Sequence, residues 1–204
     1  MKKKLIGMIL MLTVACSMVA CTKKTGESAE QQTETQEVII DSCVSLMENV
    51  WANYDEEQKF STMGGDYETM VEGAPGAIVV TDDPETEEDE TAAVKQLLLV
   101  PASQVEKLSS GASMSHMMNA NTFSAGAFEL KNAEDMESFA DAYMDNILGN
   151  QWLCGFPDKA VIVKITDTYC IAMFGKDEFI KSYQNAIMLV YPGAKVIREE
   201  AIVL

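Results

Sequence analysis

Apolar residues follow two clear spacings in the C-terminal half of the chain. Over 132–149 they recur every three or four residues, which predicts a helix capped by Asn132 and closed by Gly149. A second helix of the same spacing is predicted over 179–190, on Phe179, Ile180, Tyr183, Ile187 and Val190. Short apolar runs predict four strands, at 122–130, 160–165, 168–174 and 195–204.

The order strand, helix, strand, strand, helix, strand is that of the ferredoxin-like βαββαβ unit. We therefore predict an α+β fold in which an antiparallel sheet carries both helices on one face. An N-terminal helical extension is predicted from residue 38 to between 57 and 60, with Asp41 or Ser42 as its cap. The run 96–100 is predicted to be a buried strand, and 101–108 a helix that starts with proline.

The first twenty residues have the pattern of an export signal. Three lysines precede an apolar run of 16 residues, Leu5 to Ala20. That run is shorter than the roughly 20 residues of a membrane span, which favours a cleaved signal. Cys21 follows a small residue directly and is the predicted site of lipidation, as in bacterial lipoproteins. Cys16 is an alternative that leaves a shorter apolar run, and a plain secretory signal or an uncleaved anchor is the other interpretation.

These features divide the chain into a signal peptide (1–20), a disordered polar tether (21–37) and a single α+β domain (38–204). A tether of this length has a mean reach of about 20–25 Å, enough to hold a domain clear of lipid headgroups. The predicted location is extracytoplasmic, with the lipid membrane as the first partner through acylated Cys21.

Charge excludes one class of partner. Removal of residues 1–20 leaves 12 basic and 32 acidic side chains, so the mature chain carries a net charge of about −20. Such a charge argues against nucleic acid and against anionic headgroups. The densest acidic segment, 82–90, lacks the alternating ligands and central glycine of an EF-hand loop, so a solvated loop is the interpretation it favours over a calcium site.

The cysteines allow at most one bridge within the mature domain. Three remain after Cys21 is lipidated: Cys43, Cys154 and Cys170. Cys154 with Cys170 is the predicted pair because both lie near one predicted hairpin. Free buried thiols are the alternative.

The segment "GASMSHMMNAN" (111–121) holds the only histidine, His116, among Met114, Met117 and Met118. Thioether and imidazole groups are ligands that Cu(I) prefers, so a soft-metal site is one hypothesis. Neighbouring methionines point to opposite sides of an extended segment, and in a helical turn the histidine would point away from them. The pattern therefore favours packing of these side chains. Asn119, just beyond, carries a short amide of the kind that bonds turn backbone, although it could hold a ligand's polar groups instead.

The connection "NQWLCGFP" (150–157) places Trp152, Cys154 and Phe156 in one loop. Trp152 could anchor a partner, although packing against the end of the sheet is the simpler interpretation. A thiol enzyme would use Cys154 as nucleophile and His116 as base, but the sequence shows no third residue to orient them. No cofactor is predicted.

Two longer stretches, "HMMNANTFSAGAFEL" (116–130) and "DNILGNQWLCGFPDK" (145–159), together with "GGD" (64–66) and "APG" (74–76), carry a resemblance. The chain resembles, over about residues 40–200, a family of exported lipoproteins from clostridia and related gut Firmicutes. Its members are of unknown function, and some are labelled bacteriocin transport accessory protein. The resemblance implies a surface-anchored domain and assigns no catalytic residue.

The sequence therefore predicts a non-enzymatic binding or accessory module for a peptide or protein partner. The alternatives are a copper-binding lipoprotein that uses His116 and methionines, and a thiol-dependent enzyme. The candidate partner-binding residues are His116, Met117, Asn119, Trp152 and Cys154.

Overall fold

The computed structural model of the protein describes residues 40–81 and 91–203. The predicted signal, Cys21, the predicted tether and the acidic segment 82–90 lie outside these residues. The described part forms one compact unit of mixed helix and strand, which confirms the α+β class.

Four α-helices and eight strands are found in the part of the chain that the structure describes. The helices are α1 (Cys43–Ala52), α2 (Ala102–Val105), α3 (Met136–Gly149) and α4 (Asp177–Val190). The strands are β1 (Thr62–Gly64), β2 (Val71–Glu72), β3 (Gly76–Ile78), β4 (Leu108–His116), β5 (Phe123–Leu130), β6 (Lys159–Lys164), β7 (Tyr169–Gly175) and β8 (Lys195–Ala201).

All the strands belong to one antiparallel sheet. Its order is β2-β1-β4-β5-β7-β6-β8, and β3 pairs with β4 beside β1. The structure differs here from the predicted ferredoxin-like arrangement, which would place β8 next to β5. In the protein β8 pairs with β6, and β4 occupies the position beside β5.

The helices lie on both faces of the sheet, which corrects the prediction of a single covered face. The core on one face includes Phe139 and Tyr143 of α3, whereas the core on the other face includes Leu46 of α1 and Tyr183 of α4. The crossovers β5-α3-β6 and β7-α4-β8 each connect a strand to the second strand along, towards the β8 edge of the sheet. Their first strands, β5 and β7, run in opposite directions. Because crossovers of this kind are almost always right-handed, their helices must then lie on opposite faces.

The structure corrects two predictions made for the N-terminal half and adds a strand that was not predicted. The run 96–100 is not a strand, since Ala93–Leu97 forms a wide helical turn and Leu98 and Val100 then enter the core. Helix α1 ends at Ala52, earlier than predicted, and its cap is Ser42, whose hydroxyl accepts the backbone N–H of Ser45. Strand β4 was not predicted at all, because its small residues give no β-branched signal.

Candidate functional site

A pocket of about 190 Å³ opens where the turn after β1 faces the end of β4. Its walls come from sequence-distant segments, which only the fold brings together. It is lined by Met63, Gly64, Gly65, Asp66, Tyr67, Met70, Leu97, Ser115, His116, Met117, Met118, Asn119 and Ala120.

Methionine is the commonest residue on the pocket surface. Five methionines among the described residues reach solvent, and four of them line this pocket: Met63, Met70, Met117 and Met118. The fifth, Met188, lies on α4. Thioether side chains are unbranched and polarisable, so they adapt to the shape of whatever they contact.

The rim of the pocket is apolar and open to solvent. Tyr67, Met70 and Met117 each expose about half of their surface, and Met118 exposes 82%. Val71, next in the chain to Met70, is exposed as well. Single exposed apolar side chains are common, but a cluster around a cavity is typical of a surface that binds something.

A close crossing of two backbone segments holds the pocket wall in place. A Cβ atom at Gly64 would lie 2.3 Å from the backbone nitrogen of Gly76, and one at Gly76 would lie 2.6 Å from that of Gly65. Only glycine fits at these points. The "GGD" and "APG" motifs are therefore two halves of one contact, and the hydroxyl of Ser113 on β4 secures it by donating to the carbonyl of Gly65 at 2.9 Å.

This crossing buries the carboxylate of Asp66, which is only 6% exposed. Its Oδ2 accepts the backbone N–H of Val79 at 2.9 Å. Its Oδ1 has no hydrogen-bond partner in the part of the chain that the structure describes. Burial raises the pKa of Asp66, and the negative charge of Glu68 adds to the effect, against the hydrogen bond from Val79.

His116 is fixed by aromatic contacts. Its ring stacks on Phe60 with the centroids 5.1 Å apart, and it meets Phe179 edge-on at 5.8 Å. Its Nδ1 accepts the backbone N–H of Met118 at 3.2 Å, which places the proton of the neutral ring on Nε2. Desolvation lowers the pKa of His116, which favours the neutral ring. The bond that the ring accepts from Met118 shapes the turn that presents the two exposed methionines.

The loop 150–158 approaches the turn after His116. The amide of Asn121 donates to the carbonyl of Cys154 at 2.5 Å. Gly155 has φ +61°, and a Cβ there would collide with the side chain of Asn119. These two contacts hold the loop 150–158 close to the turn that forms part of the pocket. Leu153 in this loop is 88% exposed, so the loop adds apolar surface there.

The five candidate residues fall into two groups. His116, Met117 and Asn119 line the pocket. Trp152 is instead half-buried, packs against Phe174 at 5.3 Å and belongs to the edge of the core that includes α3. Cys154 is an exposed free thiol, and among the described residues no hydrogen bond joins it to His116.

The predicted bridge between Cys154 and Cys170 is not formed. Both are free thiols, and Cys170 is buried. The loop that carries Cys154 returns beside the end of β7, where Asp158 N–H donates to the carbonyl of Gly175, whereas Cys170 lies near the start of that strand. Five residue steps, about 16 Å, separate Gly175 from Cys170, so the loop of Cys154 meets β7 at the end opposite to Cys170.

Sequence reasoning missed Met63, Asp66, Tyr67 and Met70 as pocket residues. The available signal was the pair of glycine motifs, which indicated turns but not that the two turns interlock.

Comparisons of the chain with protein-family models, with curated proteins and with solved structures found no match. Within 40–81 and 91–203, no helix is long and apolar enough to cross a membrane.

Proposed function

We propose that this protein is a lipid-anchored extracytoplasmic lipoprotein whose folded unit binds an apolar segment of a partner peptide or protein in the methionine-rich pocket. The signal-like N-terminus, with Cys21 directly after its apolar run, supports the anchor. The resemblance of 116–130 and 145–159 to exported Firmicute lipoproteins supports the location.

The observation that carries the binding role is the concentration of solvent-reaching methionines around one cavity. A methionine surface adapts to different apolar shapes, as promiscuous peptide-binding surfaces do. The pocket, at about 190 Å³, is smaller than the sites of about 300–1,000 Å³ that enclose drug-sized ligands. Its size suits one or two side chains of a larger partner, with the exposed rim in contact with their neighbours.

Selection from a library of random short peptides tests the binding role. The full chain would be displayed in lipid nanodiscs, and empty nanodiscs would remove peptides that bind lipid. We expect enriched peptides to contain a bulky unbranched or aliphatic residue, and to be lost when Met70 and Met118 are both changed to Asp.

Leu189→Asp is the matched control, since Leu189 on α4 is also highly exposed but does not line the pocket. It should leave peptide retention unchanged. Equal retention by the pocket variant and by wild type, or no enrichment over empty nanodiscs, would refute a binding role for this pocket.

A soft-metal site is the second candidate, favoured by the same four methionines and His116 around one cavity. These are ligands for Cu(I) rather than zinc, and the described residues contain no group of three His, Cys, Asp or Glu side chains suited to a metal. Titration of the full chain with Cu(I) against a competing chelator tests it. Binding that Met63→Leu and Met117→Leu weaken, and that Met188→Leu does not, would support this candidate; no binding in the micromolar range or tighter would remove it.

A further inference from the structure

Asp66 Oδ1 is an unpartnered oxygen of a buried carboxylate in the wall of the pocket. Buried polar atoms nearly always have a hydrogen-bond partner, and an orphaned one calls for an explanation. The second oxygen accepts the backbone N–H of Val79 at 2.9 Å. The free oxygen is enclosed in the free protein, and a group that reaches it must enter through the pocket that Asp66 lines.

The surroundings specify what kind of group that is. Of the residues that line the pocket, all of which are described, none is Lys or Arg, so no cation of the pocket itself neutralises the carboxylate. Glu68, two positions along, adds negative charge. The same pocket is lined by Met63, Met70, Met117 and Met118, so a donor that reaches Asp66 through it contacts thioethers and fits best with an apolar stem beneath a charged tip.

Lysine meets these requirements better than arginine does. Its ammonium is a compact charge at the end of four methylene groups, and one carboxylate oxygen is enough to receive it. The guanidinium of arginine is stabilised most when it engages both oxygens of a carboxylate, and Oδ2 of Asp66 is already occupied.

We propose that the pocket receives a lysine side chain of the bound peptide, with its stem among the methionines and its ammonium on Asp66 Oδ1. This inference rests on the proposed peptide-binding function and names the residue that the pocket selects. Oδ1 is enclosed in the free protein, so binding requires side chains of the pocket to move, which the flexible methionines can do.

Defined peptides test the inference on the full chain in nanodiscs. The probes are acetyl-Ala-Leu-X-Leu-Ala-amide, with X as lysine, norleucine or arginine. Binding is followed by NMR of methionine methyl groups labelled with ¹³C, which reports on the four pocket methionines directly and on buried Met47 and Met173 as internal controls of the fold. We expect the lysine peptide to bind about tenfold or more tightly than the norleucine peptide, because a hydrogen bond to a charged group is formed only by lysine.

Asp66→Asn is the paired variant. Its amide oxygen can still accept Val79 N–H, so the fold should persist while the lysine preference disappears. Norleucine binding as tightly as lysine to wild type would overturn the inference and leave the proposed function standing, since the pocket methyls would still shift. Arginine binding as tightly as lysine would overturn the choice of lysine. No shift of the pocket methyls with any of the peptides would count against the peptide-binding function itself.

Discussion

Gly76→Ala tests whether the glycine crossing is what builds the pocket wall. The added Cβ would lie 2.6 Å from the nitrogen and 2.8 Å from the Cα of Gly65. Both atoms are backbone, so no change of rotamer relieves the contact. The two segments must separate by about 0.8 Å to reach ordinary van der Waals contact at 3.4 Å.

The expected loss of stability follows from that movement. Overpacking of a tight contact costs about 1–3 kcal/mol. A separation of this size also stretches the bond from Val79 N–H to Asp66, now 2.9 Å, beyond hydrogen-bonding distance, and a bond to a charged group contributes about 1.5–3 kcal/mol. We therefore expect Gly76→Ala to lower the free energy of unfolding by about 3 kcal/mol or more, and Tm by about 6–12 °C for a chain of this size.

Urea unfolding of a fragment spanning residues 35–204, the compact unit, is the assay. Its two tryptophans report on opposite faces of the sheet, because Trp51 packs on the core that includes α1 and Trp152 on the core that includes α3. If the fluorescence transition fits a single two-state step, one free energy of unfolding describes the fragment.

Two glycine variants isolate the cause. Gly193→Ala adds a Cβ that meets nothing within 4 Å, and we expect a change within about 0.5 kcal/mol. Gly73→Ala also meets nothing but has φ +78°, so it isolates backbone strain of about 1–2 kcal/mol. A Gly76→Ala effect no larger than that of Gly193→Ala would refute the argument that steric contact at Gly76 sets the wall.

Further predictions concern buried hydroxyls and thiols. Tyr143→Phe should raise the free energy of unfolding by about 1 kcal/mol, since that fully buried hydroxyl has no partner among the described residues. Tyr191→Phe should lower it by about 1 kcal/mol, because its hydroxyl donates to a carbonyl of α1; changes of the same sign in both variants would contradict this reasoning. A maleimide should label Cys154 rapidly in the folded chain and Cys43 and Cys170 only on unfolding, since both of these are buried. Burial also raises the pKa of Cys43 to about 11, which keeps its thiol protonated. Mass spectrometry that finds all three cysteines labelled equally would show that the two are not buried.

Periodicity was sufficient to find the helices of the C-terminal half. The apolar residues of α3 and α4 recur on one side of each helix, and Phe139, Tyr143, Ile180 and Tyr183 are buried as their spacing predicts. Each of these elements buries a single face against the sheet, and a buried face is what a periodic pattern records.

Periodicity failed where both sides of an element are buried or where side chains are small. Strand β4 is enclosed on both faces, and its small Gly111, Ala112, Ser113 and Ser115 form no alternating apolar and polar pattern. The placement of β8 was equally inaccessible, since an order of elements does not specify which edge of a sheet the last strand joins. The faces of the helices followed from that one choice.

The composition of the pocket was beyond local pattern for a related reason. Met117 and Met118 look like half of a site in the sequence, and their directions along an extended chain argue against a shared ligand. The missing half, Met63 and Met70, comes from a different turn that the glycine crossing holds opposite.

The cavity combines methionines with one enclosed carboxylate, and this combination suits peptide binding better than Cu(I) binding. Cu(I) requires thioethers to converge on a point and has no use for a hard, buried carboxylate oxygen. A lysine on an apolar segment uses both parts, since its stem contacts the thioethers and its charge compensates the oxygen. Asp66 therefore favours the peptide over the metal, and the net charge of −17 attracts a basic partner before contact is made.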